Sequence, residues 1–347
     1  MSDIIIRESE SKERWEQFLM SVSRPPFLQS WNMKQLHEKV GEDPYLFEIL
    51  KGDDLIGVAF ATLVKAKRGT YLFMPYGPVF RRDEWKHLNE FTTYVKDFGK
   101  KLNADFLRSS PFIMNSPENK ELYHSIGWKD APIHMLAENI WWMDISGTED
   151  ELMKGMRKTM RNLVRRASKD GVVIKKSTSD ESVQAFIDIH QETVQRHGFV
   201  PYTDDYFRAQ VRAFATDGQV EVFIGEYENK PISAAIMMYY GDMASYHHGA
   251  SLSEYNRIPA SYLIQWEAIK EAKERGCTQY NFWGIVPESK QVSTFLKRKH
   301  PWIGLSKFKM GFGGSQLDLL HCQDYPLSWK YTMTKVIETA RRIKRGY

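Results

Sequence analysis

The stretch 220–240, "VEVFIGEYENKPISAAIMMYY", is two apolar runs separated by Glu228-Asn229-Lys230, the pattern of a β-hairpin. About 175 residues upstream, 45–64 repeats the form: "YLFEILKGDDLIGVAFATLV" turns at Gly52-Asp53-Asp54. The elements after each hairpin also correspond. After the second come a strand "MASYHHGAS" (243–251), a helix from Pro259 stopped by Gly276, and a strand "TQYNFWGI" (278–285). After the first come a strand "GTYLFMPYGPVF" (69–80), a helix "DEWKHLNEFTTYVKDFGKKL" (83–102) and a strand "ADFLRSS" (104–110). Order and spacing match, so the chain reads as two copies of one α/β unit, each a mainly antiparallel sheet with helices packed on it.

Two helical stretches precede each hairpin. In the first copy they are "ESKERWEQFLM" and "SWNMKQLHEKV", split by the loop "SRPPFLQ". In the second they are "VQAFIDIHQETVQRHG" and "DDYFRAQVRAFA", split by "FVPYT". Strand, two helices, three strands, helix, strand is similar to the GNAT acyltransferase layout. The expected organisation is therefore α/β (α+β), two tandem GNAT-like domains over 1–145 and 146–320. "ENIWWMDIS" to "GTEDELM" is expected to cross between the copies, and the final helix within 321–347 to return to the first.

Composition narrows the function classes. Hydrophobic residues make up 42% and aromatics 13% of the 347, which predicts filled cores and excludes a disordered chain. The opening "MSDIIIRESESKERW" lacks the order of a signal peptide, and runs such as "ISAAIMMYY" are too short to span a bilayer. A cytoplasmic protein is expected. Cys277 and Cys322 are the only cysteines, too few for a disulfide framework or a cysteine metal site. No histidine set has metal spacing: His247 and His248 alternate faces of a strand and cannot share an ion in the usual geometry. Net charge is +4, but between Lys154 and Lys176 there are nine Lys or Arg and one acid, Asp170. A second basic cluster, "ARRIKRGY", closes the chain. Such patches suit phosphates, nucleic acid or an anionic membrane surface, and the alternative is a solvated helix face.

Acetyl-CoA enzymes of this fold carry a glycine-rich turn whose N–H groups hold pyrophosphate at a helix N-terminus. The corresponding turns here, "YGPVFRRDEW" and "EYNRIPASY", lack repeated glycines, and Pro78 and Pro259 each remove a donor. The glycines of "SKFKMGFGGS" (306–315) do not lead into a helix with Lys-Ser/Thr, so they are no phosphate loop either. A tandem pair without the CoA turn resembles the Fem (FemA/FemB/FemX) family of peptidoglycan bridge aminoacyl/peptidyltransferases. The strings that carry the resemblance are "FLQSWNMKQL", "MRKTMRNLVRRASKDGVVI", the block from "YHHGAS" to "YNFWGI", and "FKMGFGG". With no heptad run for a coiled-coil arm, the chain resembles the short, armless type.

The resemblance implies transfer of an amino acid from aminoacyl-tRNA to a stem-peptide amine of a UDP-linked or lipid-linked muropeptide precursor. It implies no cofactor beyond aminoacyl-tRNA as co-substrate, a peripheral contact with the inner membrane face, and a monomer. Catalysis would fall on Phe308-Lys309, with "GFGG" closing the site and Lys307 sharing the face of Lys309 on an alternating strand. Tyr206 would touch the precursor, joined by Tyr202 where the family has arginine, by His248 where it has tyrosine, and by Tyr246. On the first domain, a family lysine falls near Gln35, with Lys34 and His37 adjacent. The "YDLGG"-like string reads "YNFWG", with Asn281 for the acid and Trp283 for a glycine. From the residues themselves, Lys154, Arg157, Lys158, Arg161 and Arg165 lie opposite an apolar stripe and without acids, a phosphate-facing surface for tRNA. Two other functions stay open: a GNAT-like N-acyltransferase with another donor acting on a polysaccharide or amine, and a non-catalytic tandem domain binding envelope precursor or RNA.

Overall fold

The computed structural model describes residues 4–67, 69–197, 200–288 and 300–345. Gly198 at the end of a predicted helix, Phe199 of the predicted loop "FVPYT", and Gly346 and Tyr347 of the basic tail lie outside them. Two compact units result, one from Met1–Asn139, Val286–Ile303 and Leu317–Tyr347, the other from Ile140–Ile285 and Gly304–Gln316.

The first unit opens with β1 (Ile4–Glu8), α1 (Lys12–Ser21), α2 (Trp31–Lys39), β2 (Pro44–Lys51) and β3 (Asp54–Ala66). The predicted hairpin is present, with Gly52 at φ 59° supplying the left-handed turn residue. β4 (Gly69–Pro75) and a short β5 (Val79–Phe80) divide the single strand read from the sequence. Then come α3 (Leu88–Lys101), β6 (Phe106–Ser110), α4 (Pro117–His124) and β7 (Lys129–Asp130).

The second unit starts with β8 (Asn139–Asp144), followed by α5 (Glu149–Gly155), α6 (Lys158–Lys169), β9 (Val173–Ser177), α7 (Asp180–His197) and α8 (Asp204–Ala215). Its hairpin is β10 (Val220–Tyr227) and β11 (Lys230–Tyr240), joined through Glu228 and Asn229 at φ 51° and 63°. β12 (Met243–Ser251), α9 (Ala260–Glu274), β13 (Gln279–Gly284), α10 (Ile303–Met310) and β14 (Ser315–Asp318) complete it. The chain ends in the first unit with β15 (Gln323–Pro326) and α11 (Lys330–Arg345).

Among the described residues the sheets run β1-β2-β3-β4-β6-β15-β7, with β5 on β3, and β14-β8-β13-β12-β11-β10-β9. This corrects the predicted boundary. Residues 139–144 are no crossover: Trp142 and Met143 pair antiparallel with Asn281 and Tyr280, so β8 belongs to the second sheet. Residues 286–288, 300–302, 319 and 320, assigned to the second domain from the sequence, belong to the first unit.

Each core follows the strand alternation. Phe47, Ile49, Leu72 and Leu107 meet Phe91 and Val95 of α3, while Phe223, Met237 and Tyr280 meet Ile264, Ala268 and Ile269 of α9. In the first unit Arg108 is fully buried between Asp324 (2.7 Å) and Glu338 (2.8 Å), tying β15 and α11 to β6. No helix among the described residues is long and apolar enough to cross a membrane.

Candidate active site

The second sheet opens where β12 and β13 part. The two parallel strands are in register at Met243–Gln279, Ala244–Tyr280 and Ser245–Asn281, and at no later pair. β12 then bulges against β11: Ile236 faces His248 and Met237 faces Tyr246, leaving His247 as the extra residue. β13 is irregular at the same level, its register on β8 shifting between Asn281 and Gly284, with Trp283 at φ 67°. Asn281 Oδ1 accepts from Trp283 N at 2.8 Å and fixes this bend. Trp283 thus holds a left-handed conformation at the position where a glycine was expected from the resemblance.

Lys309 projects from α10 into this opening. Its Nζ donates to Gly284 O at 2.7 Å and lies 5.8 Å from the Tyr246 ring centre. The side chain is 5% exposed and has no carboxylate partner among the described residues, and burial alone brings its pKa down to about 7. Burial also pushes the Tyr246 phenol up to about 12. The Tyr246 hydroxyl lies over Gly249, where an added Cβ would meet it at 1.7 Å, so only glycine admits this tyrosine orientation.

Residues 303–310 form a helix, which corrects the alternating strand read from the sequence. On a helix two positions differ by about 200°, so Lys307 is exposed while Ser306 and Lys309 face inward. Phe308 packs edge-on to Tyr262 (5.0 Å) and Phe312 (5.4 Å), holding α10 in the core. The glycines after it permit close passage: a Cβ on Gly311 would strike Met160, and one on Gly314 would meet Trp142 O at 2.2 Å. Gly311 O accepts from Arg157 N at 2.9 Å and Gly313 O from Trp141 Nε1 at 2.6 Å.

The predicted precursor-binding residues of this unit come together beside the bulge. Tyr202, half exposed, stacks on Tyr206 at 4.2 Å and stands 5.8 Å from His248. Phe207 meets the His248 ring edge-on at 5.1 Å. His247 and His248 are 3.9 Å apart between ring centres, which corrects the expectation of opposite faces: the bulge removes the alternation. Burial brings His247 down to about 3; burial, then His247 and His190, hold His248 well below the usual imidazole range. Both rings are neutral at pH 7, and His248 Nε2 is buried without a hydrogen-bond partner among the described residues. No group of three or more His, Cys, Asp or Glu among them could hold a metal ion. Lys34 and Gln35 sit on α2 of the first unit; Lys34 lies over Trp31 at 4.7 Å and 3.8 Å from Glu38, and Gln35 is exposed.

The basic stretch is two helices rather than one. α5 starts from a capping box of Thr148 and Glu151 and ends at Met156. The Arg161 guanidinium donates to Lys154 O at 2.9 Å and to Met156 O, and so caps α5. That corrects its assignment to the free basic face. Lys154, Arg157, Lys158 and Arg165 are exposed, over a buried side of Leu152, Met156, Val164 and Ala167. At the start of α9, Ala260 N donates to Ile258 O (2.9 Å) and Tyr262 N to Pro259 O (3.1 Å). Two amides that a pyrophosphate would use are therefore engaged by the chain itself.

With this geometry in place, the similarity to known proteins is informative. Residues 11–136 match the FemAB family and residues 154–290 match an acetyltransferase (GNAT) domain. Over residues 11–136 the chain is therefore similar to the FemAB family. UDP-N-acetylmuramoylpentapeptide-lysine N(6)-alanyltransferase of Weissella viridescens is 27% identical over 136 residues, 39% of this chain and 40% of that protein. A lipid II:glycine glycyltransferase of Staphylococcus epidermidis is 23% identical over 201 residues, 40% of this chain and 48% of that protein. The chain therefore spans under half the length of these FemAB relatives. In fold, it is similar to a crystal structure of FemX, with a TM-score of 0.81 at 18% identity over 96% of this chain and 100% of the other. A tandem GNAT protein from the clavulanic acid pathway gives 0.59 at 8% identity, over 94% and 99%. These likenesses agree with the tandem GNAT-like fold.

Sequence reasoning found Lys309, Tyr246 and the tyrosine pair, but missed His247, Asn281 and Gly284 as parts of the opening. The replacement of a glycine by Trp283 in "YNFWG" was the available signal of unusual backbone there.

Proposed function

We propose that this protein is an aminoacyltransferase that moves an amino acid from aminoacyl-tRNA to a stem-peptide amine of a peptidoglycan precursor, in cross-bridge formation. The observation that carries the proposal is Lys309: a buried lysine without a counter-charge among the described residues, aimed into the parting of two parallel strands. The FemAB match over residues 11–136 supports the same reading, as do relatives named as an alanyltransferase on a UDP-linked muramoylpentapeptide and a lipid II glycyltransferase.

In this reading the acyl ester of tRNA is already activated, and the protein aligns the acceptor nitrogen with the carbonyl. The C–N bond forms, the carbonyl oxygen becomes an oxyanion, and the Lys309 ammonium stabilises it in a site of low dielectric. Collapse breaks the bond to the ribose oxygen, which leaves with a proton, and the acceptor nitrogen loses one to water or a substrate carboxylate. Gly284 O holds one Lys309 proton and fixes the direction of the others. Tyr202, Tyr206 and His248 offer the precursor aromatic and neutral hydrogen-bonding contacts. Lys154, Arg157, Lys158 and Arg165 meet tRNA phosphates.

The reading places the reaction in the cytoplasm, with a monomeric enzyme at the inner membrane face and no cofactor beyond aminoacyl-tRNA. A different acyl donor is the rival, favoured by the GNAT match over 154–290. For coenzyme A, the engaged amides at the start of α9 count against it. Labelled aminoacyl-tRNA pools incubated with UDP-linked and lipid-linked precursors test the proposal. RNase-sensitive gain of one residue's mass on either precursor is the expected result. Transfer from acetyl-CoA alone, or none from any aminoacyl-tRNA, contradicts it.

A further inference from the structure

α11 has two faces of opposite kind. Tyr331, Thr334 and Glu338 are buried on the first unit's sheet, with the Tyr331 hydroxyl donating to Asp324 at 3.0 Å and Glu338 accepting from Arg108 at 2.8 Å. On the other side, Trp329 just before the helix is 73% exposed, followed by Met333 at 55%, Val336 at 64%, Ile337 at 38% and Ile343 at 58%. At 100° per residue these five fall within an arc of about 120°, away from the buried three. Lys330, Lys335, Arg341, Arg342 and Lys344 are exposed around that arc. The helix's one acid, Glu338, is the residue turned inward to Arg108. The outward surface therefore carries an apolar stripe and cations, with no carboxylate from the helix.

A helix facing water would place polar residues on that side. An apolar stripe with tryptophan at one end and a Lys/Arg border suits a helix lying in the plane of a lipid headgroup layer. We infer that α11 docks the protein on an anionic phospholipid surface, its stripe at the acyl boundary and its cations among the phosphates. Charge selects this occupant. A second copy of the same face would set cations against cations, and RNA would match the cations but leave the stripe in water. At 16 residues the helix is about 24 Å long, suited to lying on the surface rather than crossing it. The inference rests on the membrane contact of the proposed reading and assigns it a surface, and its test needs no transfer reaction, so the two can fail separately.

The experiment is co-sedimentation of the full chain with phosphatidylglycerol–phosphatidylcholine vesicles and with phosphatidylcholine vesicles at about 0.1 M salt. Binding to the anionic vesicles should be at least tenfold tighter. Met333→Ser, Val336→Ser and Ile343→Ser combined should weaken it tenfold or more, as should Lys335, Arg341, Arg342 and Lys344 changed to Gln. All these positions are exposed, and an unchanged melting temperature shows that the fold is kept. Equal binding to both vesicle types, or undiminished binding by the serine variant, overturns the inference. It is also overturned if vesicles do not bind and the serine variant converts a dimer to a monomer in sedimentation velocity, or if RNA alone is bound.

Discussion

At the scale of single residues, Lys309 is held against its solvation. Its pKa in the folded chain is about 7 against 10.5 in the open chain, because burial disfavours the ammonium. Between these values the unfolded chain binds more protons than the folded one, so this residue makes stability rise as pH rises through the interval. Below pH 7 both states are charged and the burial penalty is present in full. Lys309→Met is therefore expected to stabilise the protein by about 1–3 kcal/mol at pH 7, the bond to Gly284 offsetting part of the gain. The gain should shrink as pH rises from 7 to 9.5, measured by urea unfolding. A constant or growing gain would mean that the lysine is not buried as a cation. In activity, the acceptor amine gives kcat/KM a rising limb, and loss of the Lys309 proton gives a falling limb above about pH 7.

At the scale of elements, Gln29 shows what the "FLQSW" stretch does. Its amide donates to Phe60 O (3.2 Å) and Pro75 O (2.7 Å) and accepts from Phe60 N (2.7 Å), bridging β3 and β4 while fully buried. Gln29→Leu would leave a buried N–H and two carbonyls unpaired, an expected loss of about 2–4 kcal/mol in chemical denaturation. A second prediction concerns the ends of α5 and α6. Lys154, Arg157, Lys158 and Arg165 changed to Gln should flatten the log–log salt dependence of tRNA binding by roughly 0.7–0.9 for each phosphate no longer neutralised. Arg161→Gln should instead lower stability, because it uncaps α5. An unchanged salt slope for the fourfold variant would reduce that face to a solvated surface. The hairpins and helices around both sheets were legible because apolar period, turn residues and caps agree there. α10 was not: "SKFKM" alternates like a strand, and its helical state depends on Ser306 and Lys309 being buried together, with Phe308 packed on Tyr262. The bulge at His247 was equally hidden, since one inserted residue leaves the strand pattern intact while removing its alternation of faces. Arg108 and Glu338 are 230 positions apart, and no local pattern announces such a pair.

At the scale of the whole molecule, one sequence of elements has two outcomes. In the first unit β4 and β6 stay paired from Tyr71–Phe106 through Pro75–Ser110, and Gln29 closes the neighbouring strands. In the second, β12 and β13 separate after Ser245–Asn281, and Lys309 enters where they part. Duplication was legible from the two hairpins; which copy opens was not, because it depends on a register shift and on a helix distant in sequence. The central claim is that the opened sheet carries acyl transfer through Lys309. Single-turnover transfer from aminoacyl-tRNA to the muropeptide precursor, compared for wild type, Lys309→Met and the exposed control Lys307→Met, tests it most directly. A fall of roughly a hundredfold or more is expected for Lys309→Met, the scale of losing one oxyanion donor, with precursor affinity unchanged and Lys307→Met within a few-fold of wild type. A near-normal rate for Lys309→Met, or equal losses in the two variants, would contradict it.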